Sequence, residues 1–257
     1  MSANDKKVHS IRRGGEPHWV GDGFPVHTVF SYQDLGAELS PFLLLDHAGP
    51  ADFEPTGNVR GVDWHPHRGF ETVSVAYSGA VDHEDSAGNS GSIGPGDVQW
   101  MTAGAGVLHK EMHGREFARR GGRFEMLQLW VNLPAQSKMA APRYQTLLAA
   151  DIPVVSLPGD GGTVRVVAGE FGGAAGPART FTPITLLDAR LRAESRLRVE
   201  AGDGDDIEIE AGADAAVFFM SGRPIDEPIA GYGPFVMNTT AQIQQAFADY
   251  HAGRLGT

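Results

Sequence analysis

The sequence has no cysteine, no long apolar run and no excess of positive charge. Without cysteine the chain cannot form disulfides, iron–sulfur clusters, thiolate zinc sites or a cysteine nucleophile, so any metal must bind through nitrogen and oxygen. No uninterrupted apolar run approaches the roughly 20 residues that span a bilayer, and the N-terminus lacks the apolar core of a signal peptide. We therefore expect a cytoplasmic protein with no membrane partner.

The balance of charges argues against a polyanionic partner. The 257 residues include 21 basic and 32 acidic side chains, which gives a formal net charge of −11. A surface of that sign repels phosphate backbones and anionic lipid headgroups. We expect no direct binding of nucleic acid.

Turn residues and strand periodicity predict an all-β protein. With 34 Gly and 16 Pro the chain has frequent breaks, which suit short strands better than long helices. From Glu71 onward apolar residues alternate with smaller and polar ones, at Val73, Val75 and Tyr77, and "GPGD" forms a turn before "VQWMT". The spacing predicts an antiparallel meander. Because "PAQSKMAAPR" then breaks the pattern, we expect a linker near 134–143 between two domains, 1–134 and 135–257.

One helix is predicted, at the C-terminus. In "TTAQIQQAFADYHAG" either Thr239 or Thr240 can cap the first turn, and Gly253 suits the end. One face of this segment carries apolar residues at helical spacing, namely Ile243, Phe247 and Tyr250. The plain role of such a helix is to lie on a sheet.

Two short motifs carry the chemistry of the chain. On an extended strand residues i and i+2 point to the same face, so His65-Pro66-His67 and His109-Lys110-Glu111 can each aim two side chains at one point. An isolated His-x-His beside a proline is more often exposed than metal-binding, but the second motif after a meander makes a joint site the better interpretation. The sequence thus predicts a site of His65, His67, His109 and Glu111.

The donor types limit the metal. Three neutral imidazoles and one carboxylate suit a divalent transition ion, whereas calcium and magnesium require oxygen ligands. We expect iron(II), with nickel, copper, manganese, cobalt and zinc as alternatives. The second half contains only His251, so it offers no histidine site.

Other polar residues near the motifs have simpler interpretations. Glu71 is expected to contact Arg68 or to make a buried hydrogen bond rather than to bind metal. His83 and His113 lie near predicted turns and are expected to be exposed.

Several apolar and small residues in the same region have structural interpretations as well. Trp100, Met101 and Trp130 are expected to be core residues. The "AGAG" run at 103–106 lacks the Lys-Ser/Thr of a phosphate loop, so it is interpreted as a turn that delivers His109 to the site.

The long block "HPHRGFETVSVAYSGAVDHEDSAGNSGSIGPGDVQWMTAGAGVLHKEMH" resembles the signature of the pirin family, within the cupin superfamily. "SPFLLLDHAGP", "LQLWVNLP", "GRPIDEP" and the closing "YGPFVMNTTAQIQQAFADYHAGRLG" resemble that family as well, so the resemblance covers most of the chain. It implies a bicupin, with two antiparallel β-barrels of jelly-roll type, a C-terminal helix, and metal in the first barrel alone. The ligands of the family fall on the four residues named above.

The resemblance also implies a function. Several pirin-like proteins are quercetin 2,3-dioxygenases, which open the central ring of a flavonol with O2 and release carbon monoxide, and Glu111 would be the catalytic base. Other family members are metal-dependent, redox-sensing regulators that bind a protein partner. Either a small enolic phenol or a protein is therefore the expected partner, with the chain a monomer or a homodimer.

The sequence departs from the family pattern in its second half. It passes from "ARLRAESRLRVE" to "GDGDDIEIEAG" with almost nothing between them, and only about 80 residues separate Pro142 from Arg223. We therefore expect the second barrel to be truncated. Its open edge would have to be covered by the terminal helix, the N-terminal segment or a partner chain.

Overall fold

The strands of the chain fall into two compact units, each defined by the contacts within it. A computed structural model describes residues 8–200 and 206–256. Its contacts divide these residues into a larger unit, 14–149 with 222–256, and a smaller unit, 8–13 with 150–200 and 206–221. Residues from both sides of the predicted boundary at 134 thus belong to the larger unit. The division into two cupin domains at that boundary stays a prediction.

The larger unit consists of short antiparallel strands with three short helices. Its first eleven strands are β1 (His18–Val20), β2 (Phe24–Ser31), β3 (Phe42–Phe53), β4 (Gly61–His67), β5 (Phe70–Ser78), β6 (Val81–Asp85), β7 (Ser90–Ile93), β8 (Val98–Thr102), β9 (Val107–His113), β10 (Gly122–Asn132) and β11 (Arg143–Leu147). Its first two helices are α1 (Tyr32–Leu35) and α2 (Arg115–Arg120), and the predicted linker contains a 3-10 turn at Ala135–Ser137.

Two sheets of the larger unit face each other across an apolar core. The seven-stranded sheet has the order β1-β2-β3-β10-β5-β8-β11, and the four-stranded sheet has the order β4-β9-β6-β7. Both sheets contribute to one buried cluster, which includes Phe24, Val26, Val81, Ile93 and Phe124. Successive side chains of a strand point to opposite faces of its sheet. Every second residue of the strands in these two sheets therefore points into the space between them.

The smaller unit is also a set of β-strands. They are β12 (Val154–Ser156), β13 (Gly162–Ala168), β14 (Glu170–Phe171), β15 (Ala174–Ala175), β16 (Ile184–Leu191), β17 (Arg196–Glu200), β18 (Asp206–Glu210) and β19 (Ala215–Gly222). Four of them form a sheet of order β12-β13-β16-β19, and β14-β15 and β17-β18 form hairpins. The shortened stretch of sequence corresponds to the β17–β18 hairpin, whose connecting residues 201–205 lie outside the described part of the chain.

The C-terminal segment returns to the larger unit. It forms β20 (Ala230–Tyr232), β21 (Phe235–Met237) and α3 (Thr240–His251). Thr239 caps α3 as predicted. Its hydroxyl oxygen accepts a hydrogen bond from the backbone N–H of Gln242, and the side-chain oxygen of Gln242 accepts one from the backbone N–H of Thr239. Ile243 and Ala246 of the helix pack against Phe235 of the hairpin.

The predicted fold class is confirmed. The chain is mostly β, every strand pair whose register is described is antiparallel, and the helix lies at the C-terminus. Within residues 8–200 and 206–256, no sheet order returns to its first strand, so strand pairing closes no barrel. Among those residues, too, no helix has both the length and the apolarity needed to cross a bilayer.

Candidate metal centre

Two neighbouring strands bring the histidines of the two motifs together. Strand β4 pairs with β9 so that His65 lies opposite His109, and a register shift between Val62 and His65 marks an irregularity in β4. His65 and His67 share a face because they are two residues apart on a strand. Irregularities of this kind are common beside functional sites, where they redirect a side chain.

The three imidazoles form one cluster. Possible ligand nitrogens of His65, His67 and His109 all lie within 4.8 Å of one another. The ring centroids are 4.9 Å apart for His65 and His67, 4.2 Å for His65 and His109, and 4.9 Å for His67 and His109. This group could hold a metal ion.

Unpartnered nitrogens in the cluster fit that role. His109 is 1% exposed and His67 is 4% exposed. Neither ring nitrogen of His109, nor Nδ1 of His67, has a hydrogen-bond partner among the described residues. Because buried polar atoms are normally satisfied, these nitrogens match a site that a cation would complete.

A backbone carbonyl orients the ring of His65. Nδ1 of His65 donates to the carbonyl oxygen of Asp63 at 2.8 Å, which leaves Nε2 available to a metal. Such bonds fix the tautomer and the ring plane of a metal-binding histidine.

Burial keeps the inner two rings in the form that binds metals. Loss of water, and then the neighbouring imidazoles, lower the pKa of both His67 and His109 well below its usual value. Both rings are therefore neutral at physiological pH, and a neutral imidazole has a lone pair for a cation.

Glu111 lies beside the cluster but is held by other partners. Its Oε2 accepts a hydrogen bond from Nε2 of Gln128 at 3.1 Å, and its Oε1 accepts a longer bond of 3.4 Å from the Ser74 hydroxyl. The group of ligand atoms within 4.8 Å of one another comprises the three histidines without this carboxylate. Glu111 lines the same cavity as His65 and His67, and its role as fourth ligand stays a prediction.

The cavity beside the histidines is apolar over most of its wall. It has a volume of about 250 Å³. The apolar lining comes from Val20, Phe24, Val26, Ala48, Val62, Met126 and Trp130, and the polar lining from Asp46, His65, His67, Glu111 and Gln128. A mostly apolar pocket with few polar groups is the usual form of a small-molecule site.

Arg68 ties the turn after β4 to the C-terminal helix. Its Nε donates to the carbonyl of Ala105, in the loop that precedes β9, at 2.6 Å. Its Nη1 donates to Oδ2 of Asp249 on α3 at 2.7 Å. The expected contact of Arg68 with Glu71 is therefore replaced by these two bonds, and Glu71 makes the buried hydrogen bond that was the other expectation, accepting from Thr102 at 2.7 Å.

Two histidines predicted to be exposed are buried, so that prediction was wrong. His83 is 4% exposed and stacks on Tyr144, with ring centroids 4.9 Å apart. His113 is 2% exposed and lies among phenylalanine rings, with Phe53 at 4.6 Å. Both lie on the inward face of strands that begin or end at turns, and the pairing of those strands decides their burial.

The core predictions hold in part. Trp100 and Met101 are fully buried, as expected. Trp130 is half-buried and lines the cavity, with its ring centroid 5.3 Å from that of His67. It is thus placed where it can contact a bound molecule.

Comparison with known proteins identifies the family. The family model described as Pirin matches residues 23–131, which include the whole histidine cluster. The model described as Pirin C-terminal cupin domain matches residues 186–256. The chain belongs to the pirin family. The first matched region includes β2 to β9 and nearly all of β10, and the second includes β17 to β21 and the terminal helix.

Relatives cover this pirin-family chain almost from end to end. A Pseudomonas aeruginosa protein named "Putative quercetin 2,3-dioxygenase" is 49% identical, over 97% of this chain and 98% of its own length. Human pirin is 36% identical, over 85% of this chain and 83% of its own. A crystal structure of quercetin 2,3-dioxygenase from Acinetobacter baumannii superimposes with a TM-score of 0.94 at 46% identity, covering 99% of both chains.

Sequence reasoning missed Asp46, Ser74 and Gln128. Each is a polar residue inside an apolar strand, in "FLLLDHAG", "ETVSVAYS" and "LQLWVNL" respectively. Their position within buried strands is the signal that could have found them, because polar residues are seldom placed in a core without a partner or a ligand.

Proposed function

We propose that this pirin-family protein is a metal-dependent dioxygenase that opens flavonols such as quercetin with O2. His65, His67, His109 and Glu111 would hold one divalent ion, iron(II) in our proposal, with nickel, copper, manganese, cobalt or zinc as alternatives. The observation that carries the proposal is the cluster of three imidazoles, two of which line a mostly apolar cavity. Relatives that carry the name of quercetin 2,3-dioxygenase support it.

The donor set suits the chemistry that such an ion supplies. A bound divalent ion would act as a Lewis acid that lowers the pKa of an enolic hydroxyl. Glu111 would accept the proton of that hydroxyl, and Gln128 and Ser74 hold its carboxylate in place for this step. The apolar wall of the cavity would exclude water from the substrate ring.

The test is turnover of quercetin by protein loaded with a single metal. We expect loss of the flavonol absorbance in air together with release of carbon monoxide. His65→Ala should abolish both, because it removes one imidazole of the cluster. His251→Ala is the matched control, since His251 is an exposed histidine on α3, outside the cluster, and it should retain full turnover.

A different result would favour the non-catalytic alternative. If the protein binds one metal per chain but leaves quercetin unchanged in air, the dioxygenase proposal is wrong. A regulator that binds a protein partner according to the oxidation state of the metal would then be the better hypothesis. The cytoplasmic location and the choice between monomer and homodimer also stay proposals.

A further inference from the structure

A row of polar side chains crosses the interior face of the seven-stranded sheet. Thr28, Asp46, Gln128 and Ser74 lie directly opposite one another on four neighbouring strands. Residues paired in this way point to the same face of a sheet. Because Ser74 and Gln128 both hydrogen-bond to Glu111, which lies on the opposing sheet, the whole row faces the interior.

Asp46 is the residue in this row with spare hydrogen-bonding capacity. The Thr28 hydroxyl donates to its Oδ1 at 2.6 Å. Oδ2 accepts no hydrogen bond from any other residue within the described ranges. The side chain is half-buried and lines the cavity, and burial raises the pKa of its carboxyl.

The position of Asp46 relative to the metal ligands is set by the strand spacing. Asp46 lies one strand beyond Gln128, and neighbouring strands are about 4.8 Å apart. The cavity therefore has one polar end at His65, His67 and Glu111 and a second polar group at Asp46. Gln128 lies between these polar groups, and apolar side chains, among them Phe24, occupy the rest of the wall.

Thr28 prepares the carboxylate for a donor. The hydroxyl of Thr28 donates to Oδ1 and so holds the Asp46 carboxylate in one orientation. Its Oδ2 is left available to accept a hydrogen bond from a ligand. An acceptor group on the ligand, or an anionic one, would meet a like charge or a lone pair at this place. A hydroxyl would satisfy Oδ2 and would form a charge-assisted hydrogen bond.

We propose that Asp46 is a positioning residue that accepts a hydrogen bond from a substrate hydroxyl remote from the end that chelates the metal. This inference rests on the proposed function and narrows its substrate class. The substrate is a flat, uncharged molecule that carries an enolic chelating group and at least one further hydroxyl. Asp46 fixes the in-plane orientation of that molecule in the cavity, so the chelating end is presented to the metal ligands in a single way.

The experiment compares two flavonols by equilibrium binding, with zinc in the site. Zinc has no redox chemistry, so binding is measured without turnover. Quercetin carries hydroxyls on both of its outer rings, whereas 3-hydroxyflavone carries only the chelating hydroxyl. We expect the parent protein to bind quercetin about tenfold or more tightly than 3-hydroxyflavone, the ratio that one hydrogen bond to a charged group supplies.

Two substitutions at Asp46 then test its part in this ratio. Asp46→Ala should reduce the ratio to near one while leaving the affinity for 3-hydroxyflavone unchanged. Asp46→Asn should restore part of the ratio, because the amide oxygen still accepts a hydrogen bond but without the charge. Bound zinc and the near-ultraviolet circular dichroism spectrum should match the parent, and if the alanine variant is misfolded the asparagine variant decides alone.

The possible outcomes separate this inference from the proposed function. An equal preference for quercetin in the parent protein and in both variants overturns the role of Asp46 and leaves the dioxygenase proposal intact. If the affinity ratios are as expected but the protein releases no carbon monoxide with any metal, the role of Asp46 is supported and the dioxygenase proposal is contradicted. Failure of the parent protein to bind either flavonol contradicts both.

Discussion

Replacing Asp249 by asparagine tests whether the C-terminal helix fixes the turn beside the metal ligands. The carboxylate lies 2.7 Å from Nη1 of Arg68, and the two side chains are 15% and 5% exposed respectively. Asparagine keeps the shape but removes the charge, so Arg68 loses its counter-ion in a buried position. Breaking a fully buried pair costs roughly 3–5 kcal/mol, and the partial exposure of Asp249 reduces the expected loss to about 2 kcal/mol.

Urea unfolding of the parent and the variant measures that loss. Glu116→Gln is the matched control, because its partner Arg119 forms an ion pair in which the side chains are 74% and 70% exposed. Removal of that surface pair should change stability by no more than about 0.5 kcal/mol. Asp249→Asn should also weaken metal binding, since Arg68 holds the Ala105 carbonyl in the loop before β9.

The pH dependence of the same variant gives a second measure. Hydrogen bonds from Arg68 and then from Arg254 hold the pKa of Asp249 well below its usual value. A depressed carboxyl pKa stabilises the fold above the pKa of the unfolded chain, about 3.9, and this contribution is lost as the pH falls further. The parent should therefore lose more stability than Asp249→Asn on acidification below about pH 4. Equal urea midpoints and parallel acid profiles would refute the reasoning.

Three further changes have expected outcomes of their own. His109→Ala should abolish bound metal in elemental analysis, and with it the rise in melting temperature on adding metal, whereas His251→Ala should retain both. Burial raises the pKa of Glu71 from 4.5 to about 7. The folded parent should therefore lose stability as the pH rises between those values. Glu71→Gln should reduce this change in unfolding free energy, measured by urea titrations at about pH 5 and about pH 8. Gly69 has a φ of 89°, and a Cβ there would meet the carbonyl of Val236; Gly69→Ala should lower stability by about 1–3 kcal/mol or more in the same assay, and an unchanged midpoint would contradict the description of this turn.

Local patterns in the sequence were sufficient to predict the strand that carries His65 and His67 and the C-terminal helix. The period of two along a strand places His65 and His67 on one face, whatever surrounds them. The helix that begins after Thr239 follows from its capping residues and its apolar spacing, which are also local. For these features no knowledge of distant contacts was needed.

Burial of individual polar residues could not be predicted in the same way. His83 and His113 lie near turns, and their sequence neighbourhood suggested exposure. Their burial depends on which strand lies opposite, since Val81 pairs with His113 and His83 pairs with Glu111 across β6 and β9. Such pairing joins residues far apart in the chain, and a shift of one residue would reverse every side chain.

The sequence by itself determined that the protein is built from strands, that it binds any metal through nitrogen and oxygen, and that three histidines can share a site. Only the tertiary structure decided that Gln128 and Ser74 hold Glu111 and that Asp46 lies in the same cavity. The physical reason is that strand periodicity is a property of neighbouring residues, whereas the register between strands is set by the packing of the whole core.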